Sequence, residues 1–234
     1  MHVLRGGHVV DVDGVREADV AIDEGRIVAV GEVDVEEDDT ETDVSGQFVA
    51  PGLIDAHVHL MMDGRPDVTT IQGESEATAA YRTTANLEAA LDAGVTTVRD
   101  LGARDSLALD AARAVEAGVV AGPRVLAAGQ NVVMTGGHGH WFGCEADGET
   151  AVRRAAREQL KRGADVVKCM ATGGVLTEGA KTGLPELTPD ELTALVDAAE
   201  GKAVPTAAHA HGRQGIENAV RAGITSVEHG TFMD

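Results

Sequence analysis

Seven of the nine histidines fall into three His-x-His pairs and one singleton: His57 and His59, His138 and His140, His209 and His211, and His229. Neutral imidazole is a common metal ligand, and residues i and i+2 of a strand project to the same side. A pair such as His57 and His59 can therefore share one metal ion, although a lone His-x-His arises often by chance. A lysine joins them in an unusual setting. The chain has four lysines against 39 acidic residues, and only Lys168 lies inside an apolar run, "ADVVKCMATGG" over residues 164–174. A buried ammonium without a partner is costly, so a lysine carried into such a strand is neutral, paired or chemically modified.

The elements that must position these groups are legible from texture. Residues 1–50 carry short alternating runs such as "ADVAIDEGRIVAVG", punctuated by Gly and Asp, which predict small antiparallel strands and tight turns. From Pro51 the pattern becomes a repeat in which a helical stretch ends in glycine and a short β-rich run follows, as in "LDAGVTTVRDLG", "KRGADVVKCMATGG" and "VRAGITSVEHG". Thr188 and Glu191 supply a capping box at the start of "TPDELTALVDAA". Strand–helix alternation implies an α/β fold with a parallel sheet. Counting "LIDAHVHL" as the first strand, six such strands are present. No glycine-rich phosphate fingerprint follows that strand, which disfavours a dinucleotide-binding sheet. His57, His59, His209, His211 and His229 sit near strand C-terminal ends, with His138 and His140 in the loop after the third strand, and the C-terminal face is where a (β/α)8 TIM-type barrel builds its active site.

The segments "FVAPGLIDAHVHL", "TTVRDLGA", "TGGHGH", "VVKCMATGG", "AAHAHG" and "SVEHGTF" together resemble the metal-dependent amidohydrolase superfamily, in the branch related to imidazolonepropionases and metal-dependent prolidases. The resemblance implies an N-terminal β-sandwich segment over residues 1–50 and a hydrolase barrel over 51–234. It implies two divalent metal ions, with zinc the best suited and manganese or iron compatible, bridged by a carboxylated Lys168. His57 and His59 would hold the first ion and His209 and His229 the second; Lys168 and His229 would take catalytic roles beside the reacting water. His209 and His211 share parity, so spacing does not choose between them; the family pattern puts His209 on the metal and leaves His211, with His138 and His140, for the substrate. Asp55 could orient a ligand or cap the interior. Arg99 and Asp100 read as a buried ion pair, and Glu228, one residue before His229, as facing the helices.

The expected reaction is hydrolysis of a C–N bond in a dipeptide or an N-acyl amino acid. Two other readings are a one-metal cyclic amidohydrolase or deaminase, which manages without the bridging lysine, and a non-catalytic relative, which predicts eroded ligands. The family also carries an aspartate at an eighth strand, whereas this sequence runs to "HGTFMD" just past the sixth, and Asp234 belongs to the following loop. The expectation is a piece of a longer barrel.

Composition narrows the partners. A formal charge of −20 argues against nucleic acid or an anionic membrane surface. No apolar run approaches the ~20 residues of a membrane-spanning helix. Cys144 and Cys169 form no disulfide pattern, so a reducing cytoplasm is expected. Acid spread along the chain with scarce lysine resembles proteins of salt-loving organisms. The expected partner is a small molecule or dipeptide, and a homo-oligomer is compatible.

Overall fold

The computed structural model describes residues 1–65 and 67–233. The sequence reading of Asp234 therefore concerns a residue outside those described. The chain divides into two compact units, Met1–Gly52 and Leu53–Asp234.

The first unit is one five-stranded sheet. Strand β1 (His2–Asp11) pairs antiparallel with β2 (Gly14–Asp23), which pairs antiparallel with β3 (Arg26–Gly31). Strands β4 (Thr40–Asp43) and β5 (Phe48–Val49) run parallel to β1 on its other side. The β2–β3 turn holds Glu24 and Gly25 at φ 46° and 74°. Two left-handed residues match the twist of flanking antiparallel strands.

The second unit alternates strand and helix. Strand β6 (Leu53–Val58) is followed by α1 (Thr69–Gln72), α2 (Glu76–Asp92), β7 (Val95–Asp100), α3 (Leu107–Glu116) and β8 (Arg124–Ala127). Two short strands, β9 (Val132–Val133) and β10 (Cys144–Glu145), precede α4 (Glu149–Arg162) and β11 (Val167–Met170). Then come α5 (Pro189–Glu200), β12 (Thr206–Gly212), α6 (Arg213–Ala222) and β13 (Ser226–Phe232). The six strands expected from the sequence are β6, β7, β8, β11, β12 and β13. They lie in two parallel sheets, β6-β7-β8 and β10-β9-β11-β12-β13. The sheets meet where Asp165 N donates to the Ala127 carbonyl and the Asp165 carboxylate accepts from Ala127 N, both at 2.9 Å. Among the described residues β6 and β13 are outer strands, and no eight-stranded closure forms.

The pleat explains which face does what. Val167 and Cys169 of β11 and Ala208 and Ala210 of β12 turn toward the helices and pack with Val152, Leu192, Leu195 and Ile216. Lys168 and Met170 take the opposite face, because side chains alternate along a strand. A second cluster packs Val98 and Val125 against Leu87 of α2 and Leu107 of α3. No described helix is long and apolar enough to cross a membrane.

The capping box is present. Thr188 accepts from Glu191 N, and the Glu191 side chain accepts from Thr188 N at 2.7 Å. Glu191 also accepts from Gly148 N at 2.6 Å, tying the start of α4 to that of α5. Thr188→Ala is expected to cost about 1 kcal/mol, lowering Tm by roughly 2–4 °C in a scanning melt. Gly163 and Gly223 end their helices left-handed at φ 95° and 88°. Gly201 does not: it stays at φ −59°, and Ala203 takes the left-handed conformation two residues later.

Candidate metal centre

Lys168 is the largest fully buried side chain among the described residues, 1% exposed, and its Nζ has no hydrogen-bond partner among them. Burial pulls the amine down to about 8, against the opposing pull of the Glu228 carboxylate. A substantial neutral fraction at physiological pH follows from that balance.

Six imidazoles gather beside it. His57 lies 5.4 Å from His59 and 4.9 Å from His229, centroid to centroid. His209 lies 4.4 Å from His138, 4.6 Å from His211 and 4.7 Å from His229. His211 and His229 stack at 4.7 Å with 18° between their planes. One nitrogen from each of His209, His211 and His229 lies within 4.8 Å of the others. Burial pushes His59 down to about 3, His138 and His229 to about 4, and His209 further still; the Lys168 charge adds to each shift. These four rings are therefore neutral at ordinary pH, the state in which imidazole binds metal. His59 donates Nδ1–H to the Gly102 carbonyl at 2.7 Å. A carbonyl only accepts, so the proton sits on Nδ1 and Nε2 keeps its lone pair. His209 Nε2 and His138 Nδ1 are buried without a hydrogen-bond partner among the described residues. Uncharged nitrogen donors with unused lone pairs, around a buried amine pulled toward the neutral range, fit a divalent transition metal.

Several expectations need correction. Glu228 does not face the helices; it is 7% exposed and bonds His57 Nδ1, Arg99 Nη2 and Ser226 Oγ on the inner side. The register explains it, since Glu228 sits opposite His209 and paired residues share a face. His229 should then point outward, but at φ 69°, with Gly230 at 58°, it breaks the alternation at the irregularity where β13 pairs with β12, and its ring turns in. Arg99 and Asp100 do not pair with each other. Arg99 goes to Glu228, while Asp100 accepts from the backbone of Leu60 at 2.8 Å and Gly102 at 3.0 Å. Asp55 is exposed and accepts from His57 N at 3.1 Å, a local backbone cap. His140 contradicts no expectation: it has no ring contact with the other six among the described residues and lines a cleft of about 460 Å³ with Asp67, Trp141 and Glu178.

The loop carrying His138 is fastened by groups that the sequence did not single out. His138 N donates to the Glu186 carboxylate at 2.9 and 3.0 Å, and Gly139 N to Thr177 Oγ1 at 2.9 Å. His138 also packs on Gly174, where a built Cβ would come within 2.4 Å of Nε2. No sequence signal marks Thr177 or Glu186. Arg99 and Glu228 did leave one, as charged residues inside strand-forming runs that end beside a histidine or a glycine-bearing turn.

The amidohydrolase family model matches residues 48–234. Ochratoxinase of Aspergillus niger is 30% identical over 99% of this chain and 55% of its own length. Among solved structures, a prolidase complexed with N-methylphosphonate-L-proline superposes on the whole chain with a TM-score of 0.93 at 34% identity, over 62% of its own length. A Xaa-Pro dipeptidase with methionine bound in its active site gives 0.91 at 31% identity, again over 62% of its length. The chain thus spans a little over half the length of these relatives.

Proposed function

Because the chain belongs to the amidohydrolase family, we propose that it forms the greater part of a metal-dependent hydrolase that cleaves a C–N bond, in a Xaa-Pro-type dipeptide or an N-acyl amino acid. The observation that carries this reading is the gathering of six imidazoles beside a buried amine with no hydrogen-bond partner. The architecture we propose for the whole protein is a (β/α)8 barrel, to which β6, β7, β8, β11, β12 and β13 contribute.

His57 and His59 would hold one divalent ion and His209 and His229 the other, zinc being the best suited to these donors. Such ions, when bound, lower the pKa of a water and polarise a scissile carbonyl. Lys168 would join as a carbamate: its neutral Nζ bonds the carbon of CO2 and releases one proton, turning a buried amine into an anion. Burial favours this by enlarging the neutral fraction of the amine at ordinary pH. His138, packed on His209 and fastened by Glu186, would meet the substrate beside the reacting carbonyl. Met170 and Phe142, both buried, keep bulk water from that side.

A one-metal variant has its own support in the 4.8 Å grouping of His209, His211 and His229. Elemental analysis of protein purified with zinc and bicarbonate separates the two. About two equivalents per chain, of which Lys168→Met loses at least one, is the expected result. A single equivalent indifferent to Lys168 would favour the one-metal site, and none would sink both.

A further inference from the structure

Glu228 has no place among the proposed metal-holding groups, yet three strands meet through it at His57. Its Oε2 accepts from His57 Nδ1 at 2.9 Å. Its Oε1 accepts from Arg99 Nη2 at 2.9 Å and from Ser226 Oγ at 2.7 Å. Arg99 is itself held, donating to the Ala56 carbonyl at 2.7 Å and to Ser226 Oγ at 3.1 Å. One guanidinium on β7 thus reaches β6 and β13 together.

We infer that Glu228, anchored by Arg99, is a positioning residue that holds the His57 proton on Nδ1 and so turns the Nε2 lone pair toward the metal pocket. The inference rests on the metal-centre reading above. Its logic is the inventory of donors. A carboxylate accepts at both oxygens, and Arg99 and Ser226 already claim Oε1, which leaves Oε2 for the imidazole N–H. The other residue of the pair has a different holder, since His59 gives its Nδ1–H to the Gly102 backbone carbonyl. Changing Glu228 should therefore disturb His57 and spare His59, which serves as an internal reference. Outer carboxylates of this kind orient an imidazole ligand and raise its basicity.

The test is Glu228→Gln. An amide presents a single acceptor oxygen, which Arg99 and Ser226 would take, leaving its NH2 facing His57. Two readouts are needed. Imidazole ¹⁵N NMR of the chelator-treated protein at about pH 7.5 reports each ring's tautomer, and competition with a chromophoric chelator reports zinc affinity. In the unsubstituted protein both His57 and His59 are expected as Nδ1–H. In Glu228→Gln, His57 should become a mixture while His59 is unchanged, and one zinc equivalent should weaken by about 10–100-fold with the other unaffected. An unchanged His57 tautomer would overturn the inference, even with a lower Tm, because that pattern describes only a tie between strands. If Glu228→Gln does not fold, Arg99→Gln is read in the same way: it keeps the carboxylate but frees it to turn, and unaltered tautomer and affinity would again overturn the idea. Failure of the unsubstituted protein to bind zinc at all would sink the metal-centre reading instead, with the tautomer comparison still deciding the role of Glu228.

Discussion

In the hydrolase proposed above, Lys168→Met is expected to cut turnover steeply while making the metal-free protein more stable. The loss of activity should reach about 10³-fold, the scale of removing a group that organises charge at a reacting centre. The gain in stability follows from burial. The amine titrates at about 8 in the folded chain against 10.5 when exposed. Below pH 8 both states carry the proton, and folding bears the full cost of burying the charge, about 3 kcal/mol at order of magnitude. Between 8 and 10.5 the unfolded chain binds the extra proton, so stability rises with pH across that window, and above it the cost has gone. Methionine has a similar length and no charge, so its advantage should be largest near neutrality and vanish above about pH 10.5. Urea melts in chelator and bicarbonate-free buffer, at both ends of the window, measure the difference. A Met variant that is less stable at neutral pH would mean that the amine has found a partner in the folded protein.

Chelation is the second large effect. A metal present at about a thousand times its Kd contributes about 4 kcal/mol to the folded state, so its removal should lower Tm by roughly 10 °C in a chain of this size. The chelated chain should also weaken in acid, while the difference made by the metal narrows as its imidazole ligands protonate. His59 is held at about 3 and His138 and His229 at about 4, all below the ordinary 6.5, so the unfolded chain takes up protons first as pH falls. The histidine contribution is intact above about pH 6.5 and declines toward pH 4. Asp100 works in the opposite sense. Burial raises its carboxyl to about 7, against the two backbone N–H groups it accepts from, so its protonation favours the folded state. Burial raises Glu186 as well, so two carboxyls stand against five imidazoles, His209 and His211 included, and the net slope should follow the histidines. Differential scanning fluorimetry with and without chelator at pH 8, 6 and about 4.5 would show it. Identical melting curves at every pH would remove the metal centre from consideration.

Much of the candidate site is legible in the amino-acid sequence. The parity of His57 and His59, the apolar flanks of Lys168 and the recurrent helix–glycine–strand junctions are local properties, and local chemistry is what a sequence states directly. The Thr188–Glu191 cap formed for the same reason, since it needs only residues three apart. Gly201 shows the limit even there: the helix runs through it at φ −59°, and the left-handed residue is Ala203, two positions on.

The sequence by itself determined which residues are candidates and that repeated strand ends would bring them together. Tertiary structure alone decided how they face one another. Glu228 turned inward because its neighbour across β12 is His209, a register set by pairing between strands rather than by its own flanks. His229 joined the ring cluster because a left-handed residue at an irregular pairing overrode the alternation. Arg99 found Glu228 129 positions away instead of the adjacent Asp100, and His138 is held by Glu186 from a loop 48 positions on. These contacts depend on lateral register and loop closure, which arise only when distant segments pack, so the pattern of residues along the chain does not encode them in a form that spacing can read.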